Sequence, residues 1–301
     1  MRTVYLGTSQ FAAEVLRALA ASPHRPALVV TRPDRPRGRG RRLASPPVAE
    51  VARELEIAVD QPPSVNDDAA RDRIAAAEPH AVCVCAFGAL IREPLLSAHQ
   101  MLNVHPSLLP RWRGAAPIER AIMAGDERTG VSIMRLTAGL DSGPVCLAAQ
   151  EPIAPDDDYG ALAGRLAAAG GSLLVHALDE LGRGSLAFAE QDERQATYAA
   201  KIEAEDRVLD GGRPAEELVR VVRALSPHIG AAVMLADGAR LGIWRASARP
   251  AAAGDPAPGE VSLEHAEPVL GCTPGTLVLT EVQPPGGRAM PGDAYVRGHR
   301  G

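Results

Sequence analysis

The run AVCVCAF, residues 81–87, has no polar side chain on either alternate face. A half-exposed strand would alternate apolar and polar residues, so this run must be covered on both sides, as a parallel strand in a layered α/β sheet is. The start of the chain fits the same architecture. TVYLG (3–7) followed by TSQFAAEVLRALAAS (8–22) reads as strand, glycine turn and helix with apolar residues at helical spacing. ALVVT (27–31) supplies another strand, and Ser45 with Pro46 and Pro47 predicts a capped helix through Glu54. MLNVH (101–105) is a strand and PIERAIMAG (117–125) a helix. GVSIMRL (130–136) and PVCLAAQEPI (144–153) form an expected antiparallel pair across the glycine-marked loop TAGLDSG. These elements predict a Rossmann-like α/β domain with a mostly parallel sheet over residues 1–182, closed by the helix at 158–181.

At 301 residues the chain has room for two domains, at about 150 residues each. Residues 183–206 lack periodicity and read as a connector. Beyond them, a helix at 214–225 and short strands at 231–247, with an Asp-Gly hairpin, 258–264 and 275–283 predict a small OB-like β-barrel over 207–301. The stretch ARPAAAGDPAPG (248–259) reads as an exposed loop of that barrel. Apolar residues make up 46% and aromatics 3%, so the cores must be mostly aliphatic. The N-terminal apolar run is too short for a signal sequence, and no uninterrupted run approaches the about 20 residues of a membrane helix. The expectation is a soluble, cytoplasmic monomer with no membrane partner. Cys83, Cys85, Cys146 and Cys272 form no C-x-x-C pair and read as small hydrophobes.

The net charge of −5 is unevenly distributed. RPDRPRGRGRRL (32–43) carries six Arg and one Asp, while residues 207–301 carry ten Arg and ten acids, leaving −10 on the remainder. One basic loop and one neutral domain facing a polyanion, with an acidic surface elsewhere, would produce that pattern. Arg is the default cation here, with 31 Arg against the single Lys201, so the density of the loop is informative and the choice of Arg is not.

Asparagine is rarer still: only Asn66 and Asn103 occur. In Asn103-Val104-His105 the period of two sends amide and imidazole to one face, at the C-terminal end of a strand, where open α/β sheets place ligands. Asp141 lies on the glycine-flanked loop before the next strand. An amide donor for an oxyanion, an imidazole and a carboxylate are the parts of an acyl-type transfer without a covalent nucleophile. Taken singly, His105 also reads as a core histidine and Asp141 as a loop cap. No third His or Cys completes a familiar zinc pattern, so no metal is expected.

Taken together, these stretches resemble the methionyl-tRNA formyltransferases. LNVHPSLLPRWRGAAPI and GLDSG stand where that family has INVHxSLLPRWRGAAPI and GLDTG. YLGTSQFAAEVL matches FxGTPxFAxxxL, TRPDRPRGRGRRL matches TQPDRPAGRGKKL, and YAAKI and AMPGD fall in the expected later places, so the likeness runs nearly end to end. The chain departs from the pattern at Pro106, more often Gly or Ala, at Ser9, usually Pro, and in LSPHIGAAVML, which lacks the usual Trp.

The resemblance implies transfer of a formyl group from 10-formyltetrahydrofolate to the α-amine of initiator methionyl-tRNA for translation initiation. It makes Asn103, His105 and Asp141 the catalytic trio. Ser107, Leu108, Leu109 and Pro110 would border the folate, and Phe87, Gly88, Ala89 and Leu90 the pterin pocket. Arg35, Arg37, Arg39, Arg41 and Arg42 of the basic stretch, and Lys201 of the connector, would contact the tRNA. A structural reading of Lys201, paired with a carboxylate, stands beside that one. Two other functions compete. Glycinamide ribonucleotide formyltransferases share the trio but lack the basic insertion and the barrel, and a noncatalytic tRNA-binding protein would leave the trio unexplained.

Overall fold

The structure, a computed structural model, describes residues 1–37 and 42–299. In chain order the elements are β1 (Thr3–Gly7), α1 (Gln10–Ala20), β2 (Pro26–Val30), β3 (Arg35–Arg37), β4 (Arg42–Ala44), α2 (Pro47–Glu54), β5 (Ala58–Asp60), α3 (Asp68–Ala76), β6 (Ala81–Cys85), α4 (Leu95–Ala98) and β7 (Met101–His105). Then come β8 (Arg113–Gly114), α5 (Pro117–Ala124), β9 (Arg128–Arg135), β10 (Val145–Pro152), α6 (Tyr159–Arg183), β11 (Tyr198–Ala199) and α7 (Ala215–Leu225). The remainder is β12 (Ala231–Met234), β13 (Arg240–Arg249), β14 (Val261–Ser262), β15 (Val269–Gly271), β16 (Thr276–Gln283), β17 (Met290–Pro291) and α8 (Gly292–His299). The chain divides into two compact units, one of residues 1–114, 128–152 and 163–198, the other of residues 115–127, 153–162 and 199–301.

The first unit is built on a seven-stranded sheet in the order β10-β9-β7-β6-β1-β2-β5. β5, β2, β1, β6 and β7 run parallel, while β9 is antiparallel to β7 and β10 to β9. Every residue of β1, β6 and β7 is buried, which explains the continuous apolar runs. On α1, Ser9 accepts from the Ala12 amide as N-cap, and Phe11, Val15, Leu16 and Leu19 form the buried stripe. α6 is long and apolar enough, by length and composition, to cross a membrane. Within this unit its Leu166, Ala167, Leu174, Ala177 and Leu178 are nonetheless buried. Its approach to the sheet is close: a Cβ at Gly170 would lie 3.0 Å from Val104 Cγ1 and 3.3 Å from Val131 Cγ1. Helix α6 therefore covers the Val104 face of β7 and leaves Asn103 and His105 on the other.

Several local expectations are corrected. Ser45 does not cap α2: the N-cap is Pro46, with no side-chain bond, and the Ser45 hydroxyl instead accepts from Arg53 Nη1. The basic stretch is not all loop, because its flanks pair as the antiparallel strands β3 and β4. Its base is anchored by Gln61, which donates to Arg32 O at 2.9 Å and to Asp34 Oδ1 at 2.7 Å. Helix α3 buries only Ala70 and Ile74, so its sequence shows almost no apolar stripe. The aperiodic segment after α6 is also more than a tether: Ala189 exchanges both backbone hydrogen bonds with Val145, each 2.9 Å.

The second unit holds a six-stranded antiparallel sheet, β12-β13-β16-β15-β14 with β17 on β16, curled into a half-barrel. Irregular register around Arg245 bends β13, as bulges do in small barrels. Leu218, Val221, Val222 and Leu225 of α7 pack with Leu241, Ile243, Leu277 and Leu279 to form its core.

Candidate active site

Asn103 and His105 are the third and fifth residues of β7, 7% and 4% exposed, on the face away from α6. The two asparagines of the chain are used differently. Asn66 is spent on its own loop, donating to Leu90 O at 2.8 Å and accepting from Arg92 N at 2.9 Å. The Asn103 amide makes no side-chain hydrogen bond among the described residues. Its polar atoms are not among the sealed, orphaned ones, so the amide stays open to water or to a ligand.

The chain after β7 folds back over the imidazole. Ser107, fully buried, donates from Oγ to Arg111 O at 2.5 Å, and Ser132 Oγ donates to Ser107 O at 2.7 Å while accepting from Leu109 N at 3.1 Å. The Leu109–Pro110 peptide is cis, and Leu108 packs onto Gly130. Trp112, at φ +62°, turns its carbonyl to His105 Nε2 at 2.9 Å, and its indole lies under the Arg111 guanidinium at 4.4 Å. The other ring nitrogen, Nδ1, faces Asp141 Oδ2 at 3.6 Å. Two acceptors thus face the two ring nitrogens, Trp112 O in hydrogen-bond contact and the Asp141 carboxylate at 3.6 Å.

Asp141 sits at φ +45° in the loop between β9 and β10, with Oδ2 accepting from Gly114 N at 2.9 Å. Arg113, between Trp112 and Gly114, is 2% exposed and donates to both oxygens of Glu193, from Nη1 at 2.9 Å and Nη2 at 2.7 Å. Hydrogen bonding to Arg113 holds the Glu193 carboxyl below its ordinary range. Arg113 Nε also donates to Gln191 Oε1 at 3.0 Å. Arg113 could be noticed in sequence only as one more Arg of PRWRG, and Gln191 carried no signal at all.

The remaining expected residues divide into several places. Phe87 and Gly88 border a cavity of about 390 Å³ together with Thr8, Ser9, Arg32 and Arg35. Thr8 Oγ1 donates to Phe87 O at 2.7 Å, and Arg32 Nη1 donates to Gly88 O. Ala89 and Leu90 do not border that cavity, and Leu90 is 62% exposed. Asn103, His105 and Asp141 are not among the residues lining it; His105 shares a strand face with Asn103 and faces Asp141. Arg39 and Arg41 lie outside the described residues, and Arg37 and Arg42 end the paired strands that flank them. Lys201 is exposed, with Nζ 3.7 Å from Glu203 Oε1. Its segment is held by Arg120, which donates to Ala200 O, Lys201 O and both oxygens of Asp206. Among the described residues no three His, Cys, Asp or Glu side chains are grouped to hold a metal ion.

Residues 1–178 match the family described as formyl transferase, and residues 201–300 match the formyl transferase C-terminal domain. The methionyl-tRNA formyltransferase of Methylococcus capsulatus is 42% identical over 301 residues, covering 99% of this chain and 97% of the relative. That of Burkholderia thailandensis is 43% identical over 310 residues, covering 99% and 94%. Among solved structures, HypX from Aquifex aeolicus in complex with tetrahydrofolic acid superposes with a TM-score of 0.69 at 18% identity, over 99% of this chain and 47% of that one.

Proposed function

The chain belongs to the methionyl-tRNA formyltransferase family, and from that premise we propose how its residues move a formyl group from 10-formyltetrahydrofolate to the α-amine of initiator methionyl-tRNA. The carrying observation is the Asn103 amide, nearly buried, unspent on the protein and sharing a strand face with His105.

Asn103 donates to the formyl oxygen as the neutral amine adds to the formyl carbon and negative charge builds on that oxygen. His105, as imidazolium, sets a positive charge beside it. Asp141 balances that charge and receives, through water, the proton that the nitrogen nucleophile loses. As the bond from the formyl carbon to N10 breaks, a proton returns to N10 along the same path, so the trio ends as it began. Ser107, Leu108, Leu109 and Pro110 border the folate beside His105, and Phe87, Gly88, Ala89 and Leu90 border the pterin. Residues 1–182 perform the chemistry, and the whole protein acts as a cytoplasmic monomer. Residues 207–301, with Arg35, Arg37, Arg39, Arg41 and Arg42 of the basic stretch and Lys201 of the segment 183–206, hold the tRNA.

The test supplies 10-formyltetrahydrofolate with either charged initiator tRNA or glycinamide ribonucleotide. Formylation of the tRNA alone is expected. Turnover of glycinamide ribonucleotide alone, or of neither, would overturn the reading.

A further inference from the structure

Gln191 lies in the aperiodic stretch after α6, yet both N–H donors of its side-chain amide go to the Asp141 loop and its oxygen accepts from Arg113. Nε2 donates to Asp141 O at 2.8 Å and to Gly143 O at 2.7 Å, while Oε1 accepts from Arg113 Nε at 3.0 Å. The orientation of the amide is set by its partners, since two carbonyls require the NH₂ group and a guanidinium requires the oxygen.

The grip falls where the backbone needs holding. Asp141 adopts the left-handed region, φ +45°, which a residue with a Cβ disfavours. Two residues on, a Cβ at Gly143 would lie 2.0 Å from Arg135 O, so the loop passes the sheet too closely for a side chain there. One NH₂ group binding the carbonyls on both sides of Ser142 fixes the turn from which the Asp141 carboxylate projects.

The other end of Gln191 is tied to His105. Arg113, held by Glu193, stands between Trp112, whose carbonyl takes His105 Nε2, and Gly114, whose N–H binds Asp141 Oδ2. We propose that Gln191 is a positioning residue for the formyl transfer: bridged to Arg113, it sets the direction of Asp141 toward His105 without touching substrate. This rests on the reading of Asp141 as part of the catalytic trio.

The discriminating variant is Gln191→Glu. It keeps the length and the acceptor for Arg113 but replaces the two donors with an oxygen facing two carbonyls. Were Gln191 only a partner for the buried Arg113, the variant would turn over normally. We expect kcat to fall about 10- to 100-fold, as a misplaced catalytic group costs, with both KM values within about twofold. The Asp141→Asn background supplies a second measurement. A residue acting only through Asp141 should cost little more once Asp141 is disabled, so the two losses should fail to multiply. Gln191→Met, isosteric and apolar, should behave in the same way if the glutamate variant does not fold. Normal kcat, or losses that multiply with Asp141→Asn, would overturn the inference. An inactive wild-type protein would overturn the underlying reading instead.

Discussion

His105 Nδ1 and Asp141 Oδ2 face each other at 3.6 Å, beyond hydrogen-bond distance and close enough for the carboxylate to act on a proton carried by the imidazole. Asp141→Asn removes the charge while leaving an oxygen to accept from Gly114 N. Folding should be unchanged and turnover should drop by about two to three powers of ten, the range for a lost general-base or electrostatic group. Steady-state formylation kinetics on the folded variant check this, and near-normal turnover would remove Asp141 from the mechanism.

Asn103→Ala deletes an amide that holds nothing in the protein together. Its melting temperature should match that of the parent, while kcat falls by about two to three powers of ten for the loss of an oxyanion donor. A large fall in stability with activity retained would make Asn103 a structural residue.

Replacing Arg39, Arg41 and Arg42 with Ala should weaken tRNA binding and flatten the plot of log affinity against log salt by up to about three units, near one for each phosphate left without its arginine. Binding of a folate analogue, measured in parallel, should be almost unaffected. Equal losses for both ligands would identify the stretch as structural.

The four thiols should be quiet in the folded protein. Burial pushes Cys83 and Cys85 up to about 12 and Cys146 up to about 11, and it raises Cys272 as well. The thiolate is the reactive form, so a disulfide reagent near pH 8 should titrate these cysteines slowly in native protein and all four promptly in denaturant. Prompt native reaction at Cys83 or Cys85 would contradict the burial of β6.

Hydrogen bonds from Arg120 hold the Asp206 carboxyl below its ordinary range, and Glu203 N adds another at 3.0 Å. The folded value is depressed, so the stabilisation is complete above the unfolded carboxylate value near about 4 and is lost as pH falls through the folded one. The unfolding free energies of the parent and Asp206→Asn should differ by up to about 1 kcal/mol at pH 7, a difference that shrinks on acidification. A gap constant from pH 7 to pH 3 would show that the carboxylate charge contributes nothing there.

Wherever burial is repeated along the chain, local pattern was enough to read the fold. AVCVCAF announced a strand covered on both faces, and β6 is buried throughout. The Asp-Gly turn announced the β12–β13 hairpin. The period of two in Asn103-Val104-His105 put the amide and imidazole on one face, and α6 covers the other through Gly170. Elements without repeated burial gave no such signal: α3 buries too little to show a stripe, and β3 and β4 are three-residue strands in a charged stretch.

Which side chains a strand presents together could be read from the order of residues alone, because side-chain direction along a strand follows from backbone geometry. What those side chains meet was settled only when the chain folded. The Trp112 carbonyl reaches His105 through a turn, the Asp141 carboxylate reaches it from another loop, and Gln191 reaches Asp141 from fifty residues away. Such meetings leave no period in the chain, since a single hydrogen bond between distant residues constrains one position and repeats nowhere. Burial is read along the sequence because many residues share it, whereas positioning is invisible there because one residue supplies it.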